Sequence, residues 1–459
     1  MPWKEISPGH YERDFDSLEN FYRVVADAGV PLNKQHYLIS CTLQLATFPP
    51  LHVIKNAWKI LRQKYPQIAA TVIGHGTDAR FCYDVPQPNE LDAWVKDTLI
   101  IEKQSSANDK YEKEKPSSEF LLYCFTDTRE LLFRMPHWRI DGIGLMYLQN
   151  AFLQILANGA SDDIVLDGSE AKNLTLSLDE AAGVPASISS TNSQAATDEL
   201  DVFLKGQPSI SIPTLPNVLP DNTRRLKLSF SADTTSRIID ACKSRNLTVT
   251  TAVHAALVVT AFPYMEHGFD PTTRGQVGGK YTGFNAIDLR KYLSAPFNGP
   301  EAAVSIYHTG IPVSVDLAIN KDFDSIAAEM LKGYKRDLSK DSPRNFFNFL
   351  TEYVNKVLGV LGQEPGNPLH APAHPELSSI GIINDYVSAK YEGTDSTIEV
   401  QEWWIAIEVI NRLLLTNVWT WNEEMVLSVN WNEAFYDDEF IARFLEQWKE
   451  TVCKSLGVE

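Results

Sequence analysis

The residues best suited to do chemistry lie in one short stretch, Arg134-Met-Pro-His137-Trp-Arg-Ile-Asp141-Gly142-Ile-Gly144. An apolar run, Leu131 to Phe133, feeds into it, and a second, Leu145 to Leu148 with Phe152 and Leu156, leaves it at helical spacing. His137 is therefore expected at a strand-to-helix junction, where the elements on both sides hold its side chain. An imidazole held there can take a proton from a hydroxyl or amine, help worth roughly 10²- to 10⁴-fold in rate. Its unperturbed form is neutral at physiological pH, as a general base must be. Asp141 has two readings, both structural: an ion pair that locks the loop aiming the histidine, or the N-cap of the helix beginning at Gly142. Gly142 is either a turn glycine or a backbone N–H offered to a developing oxyanion at a helix N-terminus.

Other constellations are incomplete. There is no G-x-S-x-G, so a serine hydrolase of the α/β type lacks its nucleophile elbow. Gly74-x-Gly76 is followed by a strand pattern and reads as a hairpin turn, not a dinucleotide loop. Gly279-Lys-Tyr281-Thr282 fails as a Walker A tail, because position 274 is Arg and position 281 is Tyr. His370 and His374 have ligand-like spacing, but Pro372 and Pro375 break the helix such a pair needs. His137 and Asp141 would need a third ligand that the sequence does not identify. No metal site is expected.

The elements that must position His137 follow from periodicity. A strand over 36–47 and a helix over 51–65, stopped by Pro66, come first, then short strands over 68–73 and 80–85. Strands over 119–125 and 130–135, joined by Thr126-Asp-Thr128, form a hairpin that delivers His137 to a mostly apolar helix over 143–157. From 158 to about 219 the composition shifts to Ser, Ala, Thr, Gly and Pro, with 186–196 as the least structured part. Beyond it come a strand over 225–230, helices over 234–245 and 250–264, strands over 281–286 and 303–315, helices over 322–338 and 344–361, and a strand near 377–383. A hairpin over 413–421 and 425–431 and a helix over 438–454 complete the chain. The expected fold is α/β, a mixed-sheet, two-lobed sandwich: residues 1–180 form one lobe, 181–220 a flexible crossover, and 221–459 the other.

A chain of 459 residues is too long for one ordinary core, and 44% hydrophobic content supplies material for a packed interior. The formal charge of −18 argues against binding nucleic acid or an anionic membrane, which requires clustered Lys and Arg. Net charge does not fix local potential, so a basic pocket for a phosphate-bearing donor is compatible with it. Five scattered Cys without C-x-x-C spacing suit neither a disulfide framework nor a zinc knuckle. With no signal-like apolar segment near Met1 and no run of about 18 apolar residues, a cytoplasmic protein is expected, and a monomer.

His137-Trp-Arg-Ile-Asp141-Gly142 resembles the H-x-x-x-D-G motif of the chloramphenicol-acetyltransferase-like superfamily, which holds the BAHD acyltransferases and nonribosomal-peptide condensation domains. The setting agrees: a strand-fed His near one third of the chain, a helix of the Asn56-Ala-Trp-Lys-Ile-Leu-Arg-Gln-Lys-Tyr-Pro66 type, Asp288-Leu-Arg290 at a strand end, Leu377-Ser-Ser-Ile-Gly381, and a terminal strand, Tyr436 and helix. The Asp-Gly-Ile-Gly continuation and the C-terminal segment are similar to those of fungal secondary-metabolite acyltransferases of the trichothecene 15-O-acetyltransferase kind. The resemblance implies two similar lobes with a solvent tunnel between them and His137 as general base. Gly142 would be an oxyanion donor and Arg290 the partner of Asp141, with Trp138, Thr420 and Trp421 touching the substrate. Two departures stand out: the D-F-G-W-G motif is absent, and Pro136 replaces the first His of a condensation domain.

Three functions are compatible with these residues. One is transfer of an acyl group from acyl-CoA, a co-substrate and not a bound cofactor, to a hydroxyl or, second, an amine of a small metabolite. Another is a cyclase or isomerase that uses His137 for proton abstraction without an acyl donor. The third is a non-catalytic binding module.

Overall fold

The computed structural model describes residues 2–113, 116–161, 164–207, 209–217, 219–267, 279–361 and 373–458. Two compact units divide the chain, one of Met1–Pro185, Asp288–Tyr307 and Ile383–Ile407, the other of Ala186–Ile287, His308–Ile382 and Glu408–Glu459. The contiguous lobes expected over 1–180 and 221–459 are thus replaced by interleaved ones. Two later segments return to the first unit through side-chain and strand pairing, which local periodicity does not encode.

In the first unit, a six-stranded mixed sheet runs, in spatial order, Lys390–Glu392, Thr397–Ile407, Leu38–Leu45, Glu130–Pro136, Leu121–Phe125 and Leu99–Glu102. All neighbours are antiparallel except the last pair, which is parallel. The sequence reading had no strand over Thr397–Ile407, although Ile398 and Val400 point inward between exposed Thr397, Glu399 and Gln401. Its Trp403 indole donates to Gln149 Oε1 at 3.0 Å and so ties the strand to the helix Gly142–Asn158. A core under the sheet is built around Trp58 on the helix Leu51–Lys64, whose ring stacks on Trp94 at 5.4 Å and meets Phe133 and Phe152 edge-on. A second, antiparallel sheet orders Lys4–Ser7, His10–Asp14, Arg80–Asp84 and Thr71–Ile73. The hairpin expected at Gly74 joins its last two strands in sequence, and Gly74 holds φ +77°.

The second unit carries a four-stranded sheet, Pro375–Ile382, Leu414–Trp421, Glu424–Asn432 and Thr223–Ser229, and a pair, Lys280–Asp288 with His308–Asp316. One face of the larger sheet packs Leu414, Val418, Leu427 and Val429 with Trp448 and Phe444 of the helix Asp438–Leu456 and Val253 and Leu257 of the helix Val249–His267. Among the described residues no single helix is long and apolar enough to cross a membrane.

The flexible crossover expected over 181–220 contains a fifteen-residue helix, Ser190–Leu204, capped by the Ser189 hydroxyl, which accepts from the Asn192 N–H. Ala196, Glu199, Leu200 and Phe203 are its buried residues, at i, i+3, i+4 and i+7. Small size at one of those positions and a carboxylate at another hide the stripe from a hydrophobicity count. Glu199 is held by the Arg336 guanidinium. Of the histidine pair considered above, His370 lies outside the described residues, as does Arg274.

Candidate active site

Pro136 closes the strand Glu130–Pro136 opposite Leu38, and the chain turns at once, with the Arg139 N–H donating to Pro136 O at 3.1 Å. The His137 N–H donates to Tyr37 O at 3.0 Å. Tyr37 holds φ +57°, a left-handed conformation that a bulky residue adopts at a cost of order 1–3 kcal/mol. That strain aims a carbonyl at the His137 backbone. The His137 ring lies flat on Tyr22, centroids 4.1 Å apart and planes 4° from parallel, and Tyr37 meets it edge-on at 6.3 Å. Backbone and ring plane are both fixed, and the residue is only 9% exposed.

Asp141 satisfies both sequence readings at once. Its Oδ1 accepts from the Gly144 N–H at 2.7 Å and caps the helix Gly142–Asn158. Its Oδ2 accepts from Arg290 Nη1 at 2.8 Å and from the Tyr307 N–H at 2.7 Å, while its own N–H donates to Ser305 O at 3.0 Å. Burial works against the Arg290 charge, but the carboxylates of Asp141 and Asp288 outweigh it and push its pKa above the ordinary value. An aspartate so fully engaged is a clamp and not a proton carrier.

The two glycines that follow differ in kind. A Cβ on Gly144 would lie 2.1 Å from Ala303 O and 3.2 Å from Arg290 Nη2, so glycine is required for the Asp288–Tyr307 segment to pack against the helix start. A Cβ on Gly142 would meet only Ile405 Cδ1, at 3.9 Å. Nothing in the fold demands glycine there. The Gly142 N–H, in the first position of the helix, has no intrahelical acceptor and carries the positive end of the helix dipole.

Of the other residues singled out, Arg290 falls where expected. Trp138, expected to touch the substrate, is buried among aromatic rings, edge-on to Phe15 at 5.9 Å and 5.7 Å from Phe81, with the Arg139 guanidinium over its ring at 4.7 Å. Thr420 and Trp421 are neighbours on one strand and so point to opposite faces of their sheet. Trp421 shares a face with Asn417 and Trp419, whereas Thr420 lies opposite Met425 on the face that the helices cover. Sequence reasoning missed Tyr22, Tyr37, Ser305 and Tyr307. The first two precede the motif by a hundred residues or more and carry no pattern of their own.

No family model matches the chain. Over its whole length it is 27% identical to acetyltransferase pigO of Monascus ruber, covering 99% of that protein. It is likewise 27% identical to O-acetyltransferase pigM of the same organism, covering 88% of it. The solved trichothecene 15-O-acetyltransferase of Fusarium sporotrichioides superposes with a TM-score of 0.80 at 16% identity, over 99% of this chain and 98% of that one, a likeness of fold. The chain is similar over its whole length to fungal secondary-metabolite acyltransferases. These similarities make it an acyltransferase enzyme, and the binding-module reading is set aside. The mixed-sheet, two-unit α/β architecture agrees with the family resemblance.

Proposed function

We propose that this acyltransferase moves an acyl group from acyl-CoA to a hydroxyl of a small secondary metabolite, with His137 as the general base. The observation that carries this reading is the division of labour within the motif. The Asp141 carboxylate is engaged by Gly144, Arg290 and Tyr307, a clamping role that leaves proton transfer to His137. The imidazole takes the hydroxyl proton as the oxygen attacks the thioester carbonyl. The tetrahedral intermediate carries its negative charge on the former carbonyl oxygen, for which the Gly142 N–H is the candidate donor. Collapse breaks the carbon–sulfur bond, and the leaving thiolate takes the proton back from the imidazolium, which restores the neutral base.

The relatives' names make acetyl-CoA the first donor to try. The test is release of free thiol from acetyl-, malonyl- and longer acyl-CoA in the presence of a panel of small-metabolite alcohols. His137→Ala and His137→Gln should each lose roughly 10²- to 10⁴-fold in kcat while remaining folded, with a cooperative unfolding transition. Turnover by His137→Ala at the wild-type rate would refute the assignment of the base. A strict absence of any donor requirement would refute acyl transfer from CoA.

A further inference from the structure

Far from the motif in sequence, the antiparallel register pairs His10 with Asp84 and Glu12 with Cys82. Residues two apart on a strand share a face, so these four side chains lie together on one side of the smaller sheet of the first unit. His10 Nδ1 stands 2.6 Å from Asp84 Oδ1 and 3.7 Å from Cys82 Sγ, and Cys82 Sγ stands 3.4 Å from Asp84 Oδ2. The donor atoms of these three residues fall within 4.8 Å of one another. We propose that His10 Nδ1, Cys82 Sγ and the Asp84 carboxylate form a binding site for a borderline divalent cation, Zn²⁺ foremost, with solvent in the fourth position.

Three physical points support it. The first is size. Metal–ligand lengths of about 2.3 Å to sulfur and about 2.0–2.2 Å to nitrogen and oxygen, at tetrahedral angles, require about 3.6 Å between sulfur and either lighter donor. The observed 3.7 and 3.4 Å already match. Only the His10–Asp84 contact of 2.6 Å must open, to about 3.4 Å by the same geometry. Asp84 is free to make that change, since its side chain is 64% exposed.

The second is orientation. Glu12 Oε1 lies 3.1 Å from His10 Nε2, and Arg80 Nη1 holds the other Glu12 oxygen, also at 3.1 Å. A carboxylate on the far nitrogen fixes the tautomer that presents the Nδ1 lone pair to a metal, the usual supporting arrangement for a ligating histidine. The third is access and donor type. The thiol is buried at the floor, and the imidazole and carboxylate rise to the surface, so a cation can enter from solvent. A nitrogen, sulfur and oxygen set favours zinc over magnesium or calcium. Binding displaces the thiol proton and the proton shared between His10 and Asp84, and the sulfur and nitrogen lone pairs form the new bonds. The cation would pin the two central strands of a sheet whose opposite face carries Phe81, packed against Trp138 beside His137.

The test uses the full chain, stripped with chelator and titrated with Co²⁺. The expected result is a thiolate-to-cobalt charge-transfer band in the near-ultraviolet that saturates at one equivalent and is erased by Zn²⁺. Cys82→Ser and His10→Gln should abolish the band, and Glu12→Gln should keep it with a 10- to 100-fold weaker affinity. Zn²⁺ should raise the wild-type Tm and leave that of His10→Gln unchanged. No band in the wild type overturns the proposal, as does a band that survives in both Cys82→Ser and His10→Gln and so belongs to one of the four other cysteines. If Cys82→Ser does not fold, Asp84→Asn, at the exposed rim, takes its place with the same two outcomes.

Discussion

Asp141 and Arg290 are separated by 149 residues of sequence and 2.8 Å of space, with side chains only 4% and 3% exposed. The pair does more than neutralise two buried charges. Through the same carboxylate oxygen it binds the Tyr307 N–H, and through the other it starts the helix that follows His137. One side chain thus holds the returning segment Asp288–Tyr307, the helix terminus and the turn carrying the catalytic candidate.

Removing one partner should therefore unfold more than it disarms. In Asp141→Asn the single amide oxygen cannot serve Gly144, Tyr307 and Arg290 together, and Arg290 keeps only Asp288, at 3.2 Å, as a carboxylate partner. Breaking a buried pair from one side costs about 3–5 kcal/mol. Urea unfolding should show that loss for Asp141→Asn and for Arg290→Met. The double variant should lose clearly less than the sum, because it leaves no charge stranded. Additive losses would show that the two residues act independently.

Gly142 and Gly144 should separate under substitution by alanine. At Gly144 the added carbon falls 2.1 Å from a backbone oxygen, which no side-chain rotation relieves, so Gly144→Ala should lower both stability and kcat. At Gly142 the nearest atom is 3.9 Å away, and stability should stay within about 0.5 kcal/mol of wild type. A fall in kcat for Gly142→Ala at unchanged Tm would report crowding of the reacting carbonyl. Loss of stability in Gly142→Ala would instead make it a structural glycine.

What was legible in the chain was local. The strand 130–135, the turn at His137 and the helix 143–157 follow from residues that are neighbours in sequence, and the structure places them as Glu130–Pro136 and Gly142–Asn158. The cap by Asp141 was readable for the same reason. Arg290 as its partner came from family resemblance and not from pattern, since no periodicity links residues 141 and 290. The packing of Trp138 against Phe15 and Phe81 was not readable, because both partners lie far from it in sequence. The strand Thr397–Ile407 had a signal, the inward Ile398 and Val400, but its polar outer residues diluted it. The return of Asp288–Tyr307 to the first unit had none. Its reason is the geometry of Asp141 and the close approach at Gly144, both visible only in three dimensions.

A last prediction concerns pH and the second unit. His254 bonds Tyr281 Oη at 2.7 Å and Tyr334 Oη at 2.9 Å, and His374, whose two ring nitrogens have no hydrogen-bond partner among the described residues, lies edge-on to Tyr281 at 6.2 Å. Burial depresses the two imidazoles to about 3 and about 4, His254 being lowered further by His374. Burial also raises the nearby Glu376 carboxyl to about 7, against the bond from the Phe284 N–H at 3.1 Å. The signs oppose. A depressed histidine contributes stability that is present above its unfolded value of 6.5 and lost as pH falls through its folded pKa. A raised glutamate contributes stability that is present below its unfolded value of 4.5 and lost as pH rises through about 7. Between pH 4.5 and 6.5 Glu376 therefore offsets one of the two histidines, and the wild type should keep only the slope of the other, up to about 1.4 kcal/mol per pH unit, with stability falling as pH falls. Glu376→Gln removes that offset. Relative to wild type it should gain on the order of 2 kcal/mol between pH 4.5 and 7.5, a figure reduced from the full shift because the residue keeps some accessible surface. Its acid limb below pH 6.5 should steepen by up to about 1.4 kcal/mol per pH unit. Urea midpoints across this range decide the matter: parallel curves for wild type and Glu376→Gln would mean that Glu376 is ionised in the native state and that burial does not govern it.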